Sequence, residues 1–404
     1  MKAMTEPDAT RANSRLEASD VLISDVAMLD GRGPLRTGMW ATVRDGAITA
    51  LGEGEPPAGD ESRVRIDGSG ATLIPGLVDC HAHVTLPGGA RWVQRVTDPT
   101  DQLLAVAEEN GARLAAAGVW WVRDAGSPWR LDAGREEGVP LNVVVRDGWR
   151  GRSDRPHVVA GGTWLTRAGT YPPGIAIDLE PTDSLADAVL RQLDVGADLV
   201  KIYLDGPEPG VSPFSLTELT AAVAAAHDRG AKVAAHATNS DGLLTGARAG
   251  VDSIEHGMGL TPESAEAMRQ AGTALVSTLA IFRSWESFRT TAPDVAAPAD
   301  RVAARRRQGE EAVRLAHESG VRVVAGTDAG GGSLRADQLG WEYEAMIDAG
   351  IPATDAFAAV TWKAGELLGV PGAGVLGVGS THFSLVHGDP LSDPRALTRV
   401  WLTR

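Results

Sequence analysis

Residues 184–257 repeat one phrase three times: SLADAVLRQLDVG then ADLVKIYLDG (184–206), LTELTAAVAAAHDRG then AKVAAHATN (216–239), and SDGLLTGARAG then VDSIEHG (240–257). Each phrase opens with an amphipathic run whose apolar residues recur three and four apart, the spacing of a helix face. Each run ends at a glycine (Gly196, Gly230, Gly250) of the kind that caps a helix C-terminus. A short run rich in Val, Ile, Leu or Ala follows, as in a buried strand. Every strand closes on a side chain with metal-site chemistry: Lys201, His236 and His256.

The same rhythm extends in both directions. Upstream, ATLIPGLVDCHAHV (71–84) reads as strand one, the helix DQLLAVAEENGARLAAAG ends at Gly118, VWWVRDAG reads as strand two and PLNVVVRDG as strand three. Downstream, TALVSTLA is strand seven and VRVVAGTDAG is strand eight, each after a helix ending at Gly272 or Gly320. Eight strands alternating with helices predict an α/β fold, a parallel (β/α)8 or TIM barrel over residues 71–374. Residues 20–70 instead show hairpin punctuation, and FSLVHG and RVWLTR regain strand character near the end. We expect residues 20–70 and 375–404 to form one small composite β-sandwich, preceded by a flexible polar tail over 1–19.

Composition narrows the function. The chain of 404 residues carries a net charge of −15, which argues against nucleic acid as a partner, since that would need a basic face. No run is long and apolar enough for a membrane helix, and the N-terminus has no apolar signal core, so no membrane partner and a cytoplasmic location are expected. Cys80 is the sole cysteine. A zinc ion would therefore be held by nitrogen and oxygen, and Cys80, between Asp79 and His81, should face away from the metal.

In GLVDCHAHV, His81 and His83 are two apart on a strand and point the same way, so both can reach one ion. Asp328 ends strand eight. Singly, each of these residues reads as a turn, a cap or a satisfied polar group. Together, His81, His83, Lys201, His236, His256 and Asp328 would converge at the C-terminal face of a barrel. Two ions ~3.5–4 Å apart need an anionic bridge. A carbamate formed from carbon dioxide and the Lys201 amine supplies two oxygens and a negative charge, and burial at a strand end would make that amine nucleophilic. On this reading His81, His83 and Asp328 hold the more buried ion, His236 and His256 the more exposed one, and N6-carboxylysine at Lys201 bridges. Asp328 takes a proton from the attacking water and gives it to the leaving nitrogen.

These motifs resemble the amidohydrolase superfamily: HxH on strand one, Lys on strand four, His on strands five and six, Asp on strand eight. GLVDCHAHV, AGVDSIEHG and GTDAG resemble the branch with imidazolonepropionase-like enzymes and metal-dependent Xaa-Pro (prolidase-like) dipeptidases. The resemblance covers about residues 20–404. It implies a binuclear hydrolase, with zinc first among divalent metals, acting on a small-molecule linear amide such as an N-acyl amino acid or dipeptide. Relatives are often dimers or larger, so a homo-oligomer stays open. A cyclic amide or amidine, or an ester or lactone, remains an alternative substrate, and a non-catalytic barrel would be expected to have lost some of the six residues. One departure stands out: the prolidase-like members usually carry GGHG after strand three, and this chain reads AGGTWLTRAG, with Thr163 and Trp164 in place of the histidine.

Outside the six, Tyr203 shares the inward face with Lys201 and could bind substrate. Trp164 and Trp149 could line the pocket. His157 is the histidine nearest the altered phrase. Asp124 could orient a ligand histidine or form a turn. The stretch IFRSWESFRTTAPDVAAPAD (281–300) reads as a long loop over the active face, where Arg283 or Arg289 could clamp an anionic group. The run Arg305 to Arg307 reads as the solvated face of a helix.

Overall fold

The computed structural model describes residues 20–57, 63–131, 138–332 and 334–404. The expected tail over 1–19 lies outside the described residues. Eight parallel strands build the barrel: β1 (Leu77–Ala82), β2 (Val119–Asp124), β3 (His157–Ala160), β4 (Leu199–Tyr203), β5 (Lys232–Ala237), β6 (Ser253–His256), β7 (Ala274–Ser277) and β8 (Val323–Ala325). β3, β2 and β1 pair in that order, and β4 to β8 pair consecutively. β1 meets β8 at the C-terminal face, where Asp328 N donates to His81 O (2.6 Å) and His83 N to Ala329 O (2.7 Å). Between β3 and β4, Asp198 N donates to Ala160 O (2.8 Å).

The glycines that end the helices act as expected. Gly250 and Gly272 adopt left-handed C-caps, φ 82° and 75°, and turn the chain directly into β6 and β7. The apolar strands and the inward helix faces form one continuous buried cluster, from Leu77 and Val122 through Val200, Val233 and Ile254 to Ala325.

A seven-stranded sheet joins the two ends of the chain. Phe383–His387 pairs with Val400–Thr403 on one side and with Ala71–Pro75 on the other; Ala71–Pro75 in turn pairs with Asp20–Met28. Strands Arg36–Arg44, Ala47–Glu53 and Val64–Asp67 complete the sheet. The stretch 71–84 is thus two strands, not one. The chain breaks at Gly76, where a Cβ would meet the Trp121 ring at 2.8 Å, and only Leu77 onward enters the barrel.

Strand three is also elsewhere. PLNVVVRDG folds as a helix, Leu141–Trp149, with Leu141, Val145 and Trp149 buried four apart. The Val143 to Val145 run suggests a strand by residue type, but its burial follows the helical period. The third strand is the short HVVA, 157–160. After it, Leu165–Arg167 and Ile177–Leu179 add a small two-strand insertion beside β4. The stretch 281–300 is not an open loop: Ala280–Thr291 is helical, and a short link leads to the helix Ala299–Glu318. Among the described residues no helix is long and apolar enough to cross a membrane.

Candidate metal centre

The C-terminal ends of β1, β4, β5, β6 and β8 deliver all six candidate residues to one region. His81 and His83 are both buried. Each ring is anchored through Nδ1, His81 to Glu255 Oε2 (2.7 Å) and His83 to Gly126 O (2.7 Å). Their Nε2 atoms turn toward Asp328 Oδ1, at 3.6 and 3.2 Å. His256 Nδ1 is held by Thr278 Oγ1 at 2.8 Å. One donor atom each from His81, His256 and Asp328 falls within 4.8 Å of the others, a compact three-ligand set.

His256 and Asp328 both have left-handed backbone, φ 70° and 55°. For residues with a Cβ this costs about 1 kcal/mol or more and is typical of functional strand ends. Two hydrogen bonds around Asp328 hold the strain: its N–H donates to His81 O, and its carbonyl accepts from Gly332 N (2.6 Å each). Gly331 and Gly332 are required by closeness, because a Cβ on the first would collide with the His83 ring and on the second with the Asp328 carboxylate.

His236 is anchored differently. Its Nε2 meets Asp205 Oδ2 at 2.9 Å, while its buried Nδ1 has no protein partner among the described residues. Against the upward push of burial, hydrogen bonds from His236 and Thr238 hold Asp205 well below the usual carboxylate range. Tyr203 stacks on the His236 ring, centroids 4.2 Å apart and planes within 12°. Lys201 is wholly buried, and its Nζ also has no hydrogen-bond partner among the described residues. Burial draws its pKa down to about 8, with the Glu255 carboxylate opposing. Burial, reinforced by nearby positive charge, keeps the His81 and His256 imidazoles neutral, the form that ligates metal. Two buried nitrogens without partners beside a His/His/Asp trio fit a divalent-metal site.

A carboxylate that the sequence reading missed stabilises this arrangement. Glu255, fully buried, accepts from Arg123 Nη2 at 2.7 and 2.9 Å, from Ser253 Oγ at 2.7 Å and faces His81 Nδ1. Ser253 and Glu255 are two apart on β6 and share a face; an acid inside a short apolar strand was a hint, but its partners on β1 and β2 were not legible with it. Asp79 plays a related part on β1, accepting from Thr327 Oγ1 (2.6 Å) and Thr327 N (3.0 Å) and so fastening β1 to β8. Cys80 is buried on the opposite side, its Sγ toward Ala364 O, and burial pushes its thiol pKa up.

The pocket above these residues has a volume of about 260 Å³. Trp164 lines it, its ring 5.4 Å from that of His83, and Tyr203 lines it beside His236. Four expected contributors are elsewhere. His157 begins β3, so it sits at the opposite end of the barrel, its Nε2 3.0 Å from His382 Nε2. Arg283 pairs with Glu344 (2.9 Å) and stacks on Trp341. Arg289 is exposed near the end of the helix and does not line the pocket. Trp149 points into the helix layer, donating to Glu108 at 2.7 Å. Among the described residues Asp124 hydrogen-bonds no histidine, although its carboxylate interacts electrostatically with His83; it accepts from Val84 N, Gly126 N and Asn142 Nδ2 and shapes the loops that carry His83. From the stretch read as a loop, Ile281 and Trp285 reach the pocket, as does Arg305 from the next helix.

The amidohydrolase family pattern matches residues 72–386. An uncharacterized protein of Mycobacterium tuberculosis is 32% identical over 346 residues, 84% of each chain. An imidazolonepropionase of Stenotrophomonas maltophilia is 27% identical over 313 residues, covering 69% of this chain and 72% of that one. Among solved structures, a Xaa-Pro dipeptidase with bound methionine superposes with TM-score 0.78 at 24% identity, over 95% of this chain and 97% of that one. The ochratoxinase of A. niger superposes with TM-score 0.74 at 19% identity, over 95% and 93%. At these identities the structural matches speak for the fold.

Proposed function

The chain belongs to the amidohydrolase family, and on that premise we propose that it is a binuclear metal hydrolase cleaving the C–N bond of a linear amide, an N-acyl amino acid or dipeptide-like molecule. The observation that carries the reading is Lys201: a lysine amine fully buried in the middle of β4, without a hydrogen-bond partner among the described residues and close enough to His81 and His256 to act on them electrostatically. A permanent ammonium there would be costly. Conversion to N6-carboxylysine removes that cost and adds a bidentate anion: the amine nitrogen bonds to the carbon of carbon dioxide and releases a proton.

His81, His83, His236, His256, Asp328 and carboxylated Lys201 would hold two divalent ions, zinc by preference for this nitrogen and oxygen set. Bound there, the ions would lower the pKa of a water molecule and polarise the substrate carbonyl. Asp328, between His81 and His83, accepts the water's proton and passes it to the leaving nitrogen as the C–N bond breaks. Glu255 keeps the His81 ring oriented and neutralises Arg123. Trp164, Tyr203 and Trp285 form walls that restrict water around the reacting carbonyl. The reading is of a cytoplasmic enzyme acting on a small molecule.

The imidazolonepropionase relatives favour one second reading, hydrolysis of a cyclic amide or amidine; esters and lactones would use the same proton path. A panel of N-acyl amino acids, dipeptides, cyclic amides and lactones, run on the metal-loaded wild type and on Asp328→Asn, separates them. Turnover of linear amides that Asp328→Asn loses by at least a hundredfold supports the proposal. Turnover confined to cyclic substrates overturns it.

A further inference from the structure

We infer that Arg305 reads a free carboxylate on the substrate, so that the pocket selects an amide bearing both an aromatic group and a carboxylate; this deepens the amide-hydrolase reading and rests on it. The pocket walls are flat and largely apolar, contributed by Trp92, Trp164, Tyr171, Tyr203, Ile281 and Trp285. Such walls suit a planar apolar group. Against them, among the described residues, the lining carries one arginine, Arg305, and no lysine.

The position of Arg305 is set by its helix. Val302, Gly309, Ala312, Val313 and Ala316 form the buried face of Ala299–Glu318. Arg305 lies three residues after Val302 and four before Gly309, so it falls on that same face. Gly309 lets this helix lie against Ala280–Thr291: a Cβ there would meet Leu279 and Phe282 at 3.0 Å. The neighbouring helix in turn supplies Ile281 and Trp285 to the pocket. The two helices together bring Arg305 into the pocket lining, where the residue remains exposed.

Nearby arginines are occupied. Arg306 pairs with Glu286 at 2.7 Å and Arg283 with Glu344 at 2.9 Å. Arg305 has no ion-pair partner among the described residues. A guanidinium in the lining of an aromatic pocket matches a carboxylate with two parallel hydrogen bonds.

The test uses zinc-loaded full-length protein and two probes, N-acetyl-L-phenylalanine and N-acetyl-L-phenylalaninamide, with binding followed by calorimetry. The wild type should prefer the carboxylate by about tenfold or more, the size expected of a charged hydrogen-bonded pair. Arg305→Ala and the closer-fitting Arg305→Gln should lose that preference while binding the amide unchanged. Arg307→Ala, exposed on the same helix, should keep it. Equal binding of the two probes by wild type, no binding of either, or a preference that survives in both Arg305 variants overturns the inference. Turnover is scored separately: a preference lost with Arg305, in a protein that hydrolyses no linear amide, leaves the carboxylate reader standing and removes the amidase reading.

Discussion

His81 Nδ1 lies 2.7 Å from Glu255 Oε2, and the same carboxylate takes both Arg123 Nη2 contacts. One buried acid therefore fixes the ring of the first candidate ligand on β1 and precedes another, His256, on β6. The consequence is a coupling between metal affinity and fold stability.

Glu255→Gln should weaken metal binding by about 10–100-fold, the usual effect of losing the partner of a ligating imidazole. It should also destabilise the fold by about 3–5 kcal/mol, because Arg123 is left buried without its counter-ion. Chelator competition and thermal unfolding read the two effects. A variant with wild-type metal affinity and stability would remove Glu255 from the account.

Gly332→Ala places a methyl against the Asp328 carboxylate. Asp328 must shift, since its backbone is pinned by the bond to His81 O. The expected outcome is a fall in kcat of about a hundredfold, in line with misplacing a catalytic group by about 1 Å, with little change in melting temperature. Unchanged kcat in the folded variant would contradict the role given to Asp328.

Glu342 offers a pH test away from the metal centre. It is fully buried and accepts from Ser277 Oγ and Ala280 N, both at 2.6 Å. Burial raises its pKa from 4.5 to about 7. The folded state therefore holds a proton that the unfolded chain releases between about pH 4.5 and 7. This stabilisation is complete below the lower value and is lost as pH rises through the upper one, a span of roughly 3 kcal/mol. Glu342→Gln keeps an acceptor for Ala280 N and a donor for Ser277, so its unfolding free energy should lose this component of the pH slope. Denaturant melts at pH 5, 6, 7 and 8 compare the two proteins; parallel curves would refute the assignment.

Much of this is legible in the sequence. The helix–glycine–strand phrase located β4, β5 and β6 because the capping glycine, the apolar strand and the terminal ligand are all local signals. Strand three was not legible: β-branched residues over 143–145 outweigh the four-residue HVVA by type, and tertiary burial decided for the helix. The six candidate ligands could be read one by one from strand ends. Their supports could not, because Glu255 acts through Arg123 on β2 and His81 on β1, contacts that only barrel order creates. Arg305 was hidden inside a basic run that reads as solvated, although its register with Val302 and Gly309 marked the inward face. His157 showed the converse: a histidine near the right phrase, but at the wrong end of a parallel strand.

The most direct test of the central claim is metal content per chain together with intact native mass, on protein purified with bicarbonate and without chelator. Two divalent ions per chain and a mass gain of one carbon dioxide are expected, both reduced in Lys201→Ala, which should keep no more than one ion. One ion per wild-type chain with an unmodified Lys201, or two ions retained in Lys201→Ala, would contradict the bridged site.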